Sequence, residues 1–197
     1  MKNLGEIENY CKQYYNNNNR YYHNWKHIDY ILQVFNYLKK NKYLLMSNER
    51  EQAYIIAIYF HDLVYDPYQK DNLNIRQSIE LFKKYAKNKN LDNDRIITLI
   101  EATDYSIPLQ SKTTEQRIMT DLDLSILASK VDIYTAYTAN IKKEYKDYSE
   151  YDYTVGRRKL MCQLYELANQ NKLFIVLPEF NKKALYNISQ ELEGLKI

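Results

Sequence analysis

The sequence predicts an all-α protein, and three observations carry that prediction. Glycine and proline are scarce, three of each in 197 residues, whereas sandwiches and barrels use both freely in their tight turns. Apolar residues recur at helical spacing through most of the chain. No segment alternates convincingly as a strand. Leu173–Leu177 is apolar enough for one, but it is short and alone, so a connection between helices is expected there.

The elements follow in order. A first helix covers about residues 4–15 and ends at the polar run Asn16–Asn19, a poor helix interior. A second spans about 24–40, with Ile28, Ile31, Leu32, Phe35 and Leu38 in phase. A third, about 48–60, carries Ala53, Ile56, Ala57 and Phe60 and runs directly into His61-Asp62. Residues 63–72, with Asp66-Pro67, read as a loop. A fourth helix covers about 73–87, with Ile75, Ile79, Phe82 and Tyr85 in phase; a fifth is capped by Asp92 or Asn93. After a polar loop around Pro108, a sixth begins near Thr114 and crosses Asp121. The rest reads as helices over about 128–146, 153–170 and 178–194. No linker interrupts the pattern, so a single helical domain, 1–197, is expected, with residues 1–18 as its first helix and loop.

Charge and composition exclude several classes. The net charge of +3, from 28 basic and 25 acidic residues, does not argue for nucleic acid or a membrane surface. A mean hydropathy of −0.66 and the lack of a long apolar run exclude a transmembrane helix. Gly5, Gly156 and Gly194 stand too far apart for a phosphate-cradling loop. Twenty-two tyrosines accompany abundant Asn, Lys and Ile, all with AT-rich codons, so they are read as packing residues rather than a binding feature. Cys11 and Cys162 form no CxxC pair, and no apolar signal-peptide core opens the chain. A reducing, cytoplasmic setting is expected.

The three histidines are the most informative residues. His23 and His27 are four apart and would share a face if both were helical; His61 precedes Asp62 at the end of an apolar helix. Singly, such histidines are more often core or surface residues. Together with the later Asp121-Leu122-Asp123-Leu124, they supply imidazoles and carboxylates from separate helices, the donors of a mixed nitrogen and oxygen metal site. Asp121 and Asp123 lie about 200° apart on a helix, so both cannot face one metal.

The order His…His-Asp…Asp resembles the HD superfamily of metal-dependent phosphohydrolases, and more closely its predicted bacterial phosphohydrolases of about 200 residues. Arg20, Tyr22, His23, Asn24, His27 and Ile28 match one motif of that family. Phe60, His61, Asp62, Val64, Tyr65 and Asp66 match a second, and Asp121, Asp123, Leu124, Ile126 and Leu127 a third. Tyr134, Tyr137, Glu144, Tyr145, Gly156, Arg157, Pro178, Glu179, Phe180, Asn187, Glu191 and Leu192 extend the likeness over nearly the whole chain.

The resemblance implies a helical HD-type bundle with His27, His61, Asp62 and Asp121 as ligands of a divalent ion: Mn²⁺, Fe²⁺, Co²⁺, Ni²⁺, Zn²⁺ or Mg²⁺. It also implies His23 as general acid, by likeness to cyclic-nucleotide phosphodiesterases of the same superfamily. Arg20 and Arg157 are the candidate phosphate holders, with a surface charge for Arg20 and a pairing with Glu144 for Arg157 as the alternatives. The expected substrate is a nucleotide or another small phosphate ester.

Two positions depart from the pattern: Ile75 stands where the family has Glu, and the run Ala102-Thr103-Asp104-Tyr105-Ser106 lacks a His. They motivate a second reading, a catalytically degenerate HD domain that binds metal or nucleotide as a sensor or partner-binding module.

Overall fold

The computed structural model describes residues 4–69 and 72–196. Nine α-helices lie among them: α1 Leu4–Tyr15, α2 Trp25–Lys40, α3 Asn48–Phe60, α4 Leu73–Ala86, α5 Asn93–Glu101, α6 Thr114–Asp123, α7 Val131–Glu144, α8 Glu150–Asn169 and α9 Glu179–Gly194. Two 3₁₀ turns, Leu109–Ser111 and Leu124–Ala128, complete the set, and the described residues contain no strand. The all-α class is therefore as the sequence predicts. Lys70 and Asp71 of the expected 63–72 loop lie outside the described residues.

The helices begin where local chemistry dictates. Asn24, Ser47, Asp92 and Ser149 each accept a backbone N–H of the first turn of α2, α3, α5 and α8, which satisfies donors that have no partner inside the helix. The endings explain how so few glycines suffice. Lys42 and Asn171, just past α2 and α8, take left-handed φ values of 62° and 56°. The Tyr43 N–H then reaches the Leu38 carbonyl and the Lys172 N–H the Leu167 carbonyl, the bonding of a helix stop usually built on glycine.

The chain divides into two compact units, Met1–Leu122 and Asp123–Ile197. The division falls at the last residue of α6, inside a helix rather than in a linker.

In the first unit, α3 is the central helix. Ala53, Tyr54 and Ile56 to Phe60 are all buried, and α1, α2, α4 and α5 pack around it. A helix apolar on all sides must be surrounded, and this one ends by delivering His61-Asp62. The Lys112 ammonium donates to the carbonyls of Ala102 at 2.6 Å and Asp104 at 3.0 Å, just past the end of α5.

In the second unit, α8 packs on α9, and α9 on the turn Leu124–Ala128. Leu173, Phe174 and Leu177 are buried but form no strand. The Asn181 side chain accepts the N–H of Leu173 and of Phe174 and donates to the Phe174 carbonyl, so it takes the backbone partners a strand would need.

Candidate metal centre

The first histidine motif, His23 and His27, splits between a loop and a helix. His23 precedes Asn24, the cap of α2, and His27 sits in the first turn of α2, so the two do not share a helix. Their rings still meet edge to face, with centroids 5.8 Å apart. Asn24 accepts the Lys26 N–H and donates to the carbonyls of Arg20 and Tyr21, which fixes where α2 begins and where His27 points.

His61 caps the C-terminus of α3, and its Nδ1 lies 2.9 Å from the Ile58 carbonyl. A carbonyl only accepts, so Nδ1 carries the proton and the lone pair of the neutral ring is on Nε2. That Nε2 lies 3.2 Å from His27 Nε2 and 3.1 Å from Asp62 Oδ2, and His27 Nε2 lies 3.6 Å from the same oxygen. Donor atoms held at about 2.1 Å from one cation, at cis-octahedral to tetrahedral angles, stand about 3.0–3.4 Å apart. The contacts at 3.1 and 3.2 Å fall in that range, and the one at 3.6 Å lies just beyond it. Both imidazoles are buried, and Asp62 is partly open, its side chain 18% exposed.

Asp123, the last residue of α6, forms a group with His27 and His61 in which the possible ligand atoms all lie within 4.8 Å of one another. Two imidazoles and the Asp123 carboxylate, with Asp62 Oδ2 3.1 Å from His61 Nε2, are donors that suit a first-row divalent ion. His61 and Asp123 stand at helix C-termini, where the dipole favours a cation.

The resemblance prefers Asp121, and the structure gives Asp121 and Asp123 different surroundings. Asp121 is buried beside Arg117, one helical turn earlier, with Nη2 and Oδ1 3.8 Å apart. The helical offset then turns Asp123 to the opposite side, so Asp123 joins the histidines. The sequence held a signal for this: Arg117 four residues before Asp121 offers it an ion-pair partner on its own face.

The other candidates also find places. His23 is half-buried and stacked on Tyr65, centroids 3.9 Å apart and planes at 24°. Tyr65 sits in a turn pinned from α4: Ser78 Oγ accepts the Val64 N–H, while Asn74 accepts the Asp66 N–H and donates to its carbonyl.

Arg20, a candidate phosphate holder, meets backbone carbonyls. Its Nη1 donates to the carbonyls of Asp62 at 2.7 Å and His23 at 3.2 Å, and its Nη2 to that of Leu63 at 2.8 Å. Arg157 is buried in the second unit, with Nε 2.7 Å from Glu191 Oε1 and Nη2 3.2 Å from Oε2 and 3.0 Å from the Tyr137 hydroxyl. The Tyr137 and Glu191 partners hold its pKa well above the usual range despite burial, which acts the other way. Both arginines thus bond within the protein, and the carboxylate that Arg157 meets is Glu191, where the alternative reading had named Glu144.

Of the two departures, Ile75 is half-buried on α4, and Ser106 is exposed with its N–H and Oγ bonded to Asp104 Oδ1. Comparisons with protein families, with curated proteins and with solved structures give no match for this chain.

Proposed function

We propose that the chain is a metal-dependent phosphohydrolase of the HD type, acting on a nucleotide or another small phosphate ester. The observation that carries the reading is the convergence of His27 Nε2, His61 Nε2 and Asp62 Oδ2 within 3.6 Å of one another, with Asp123 beside the histidines. These four residues would hold the divalent ion. When bound, such an ion supplies Lewis acidity: it neutralises phosphate charge and acidifies a water. The protein's own contributions are orientation and proton transfer. His61 is locked in the Nε2 lone-pair tautomer by Ile58. His23, held flat against Tyr65 and beside His27, is placed to give a proton to the leaving oxygen, a role worth about 10²–10⁴-fold.

A cytoplasmic setting belongs to the same proposal. It is supported by Cys11 and Cys162, both free thiols. No helix among the described residues is long and apolar enough to cross a membrane.

The degenerate-domain reading keeps one specific support, the apolar Ile75 and the looped-out Ser106 where the resembled family carries polar groups. One experiment separates the two: elemental analysis of the purified chain together with a screen of phosphate esters. Bound metal and turnover of at least one ester establish the hydrolase. Bound metal without turnover of any ester leaves the binding module, and a chain that takes up no divalent ion refutes both.

A further inference from the structure

We infer that Arg20 is a positioning residue: its guanidinium joins the His23 segment to the His61–Asp62 turn, and through that junction it sets the affinity of the metal site proposed above, on which the inference rests. One side chain meets two separate stretches of backbone. Nη1 bridges the carbonyls of His23 and Asp62, and Nη2 takes that of Leu63. The Arg20 carbonyl accepts from Asn24 Nδ2 at 3.0 Å, and Asn24 caps the helix that carries His27. The guanidinium carbon lies 5.1 Å from the centroid of Tyr15, a buried ring whose hydroxyl donates to the Tyr59 carbonyl near the end of α3. Arg20 therefore touches the backbone of the acid, the cap before one ligand and the turn that holds another.

The chemistry needs arginine. Carbonyls at the end of α3 have lost their intrahelical donors and must find others. A planar fork can serve three carbonyls on two segments at once, and a lysine ammonium, a compact point charge on a flexible stem, cannot hold that geometry. The charge itself works against a nearby cation. The sign of the mutational effect is therefore diagnostic: simple electrostatics predicts tighter metal binding without Arg20, and positioning predicts weaker binding.

The test is calorimetric titration of Mn²⁺ into the full chain, as wild type, Arg20→Ala and Arg20→Lys, with melting curves to confirm folding. Mn²⁺ affinity should fall about 10–100-fold in Arg20→Ala, the usual cost of losing a residue that orients ligands. Arg20→Lys, which keeps the charge and most of the stem, should fall nearly as far and carries the measurement if the alanine variant does not fold. Guanidinium at sub-denaturing concentration should restore part of the affinity in Arg20→Ala, and sodium chloride at equal ionic strength should not. Folded variants that bind Mn²⁺ as tightly as wild type, or more tightly, overturn the inference alone. So does a loss confined to inorganic phosphate binding by the Mn²⁺-loaded protein, which would return Arg20 to the substrate. A wild-type chain that binds no divalent ion overturns the metal site and this inference together.

Discussion

Each unit of the molecule buries a polar cluster, and the two clusters are built on opposite principles. In the second unit, Arg157 and Glu191 form a two-point ion pair, and Tyr137 and Tyr134 add hydroxyls to the same charges. Cation meets anion, donor meets acceptor, and the cluster is complete within itself. Around α3, by contrast, imidazole nitrogens and a carboxylate oxygen converge with no cationic side chain among these contacts, and each is a possible metal ligand. Burial alone does not distinguish the two. What converges does: a self-neutralised cluster holds a fold together, whereas a group of possible ligands would suit the cation proposed above.

Breaking the second kind of cluster should give the largest effect. His61→Ala and Asp62→Ala are expected to reduce bound metal to near zero, measured by elemental analysis, and to abolish metal-dependent gains in Tm, because a bound ion stabilises the native state by mass action. The pair Asp123→Asn and Asp121→Asn sharpens the assignment: metal content should fall in the first and persist in the second. The reverse result would restore Asp121 as the ligand.

Next in size is the acid. His23→Ala should keep its metal and lose about 10²–10⁴ in kcat on an ester with a poor leaving group. The loss should be far smaller with nitrophenyl phosphate, whose leaving group needs no proton. Equal losses on both substrates would remove His23 from that role.

The self-neutralised cluster should respond in stability rather than in metal binding. Arg157→Met leaves Glu191 buried without its cation and should cost about 3–5 kcal/mol in denaturant unfolding, with Mn²⁺ affinity unchanged. Adding Glu191→Leu should recover much of the loss. A lower metal affinity in the single variant would erase the contrast drawn between the clusters.

The smallest effect concerns backbone. A Cβ at Gly156, in the middle of α8, would meet nothing within 4 Å, so Gly156→Ala should stabilise by about 0.5–1 kcal/mol, read as a higher denaturation midpoint.

Much of this was legible without coordinates. Helical periodicity, the cap at Asp92 and the scarcity of glycine and proline predicted an all-α chain with element ends within a few residues of those seen, because they act over one or two turns of backbone. The His61-Asp62 pair at the end of an apolar helix was legible for the same reason. What tertiary structure decided was direction and partnership. Which of Asp121 and Asp123 lies by the histidines depends on how α6 is rotated, and the period of a helix does not give that rotation. Whether Arg20 and Arg157 hold substrate or protein depends on which carbonyls and carboxylates come within 3 Å, and those partners are 34 to 43 residues away in sequence. A local pattern carries the period of a helix and the chemistry of a side chain, but the partner of a charge is set by packing between distant segments, and that is not written in any one of them.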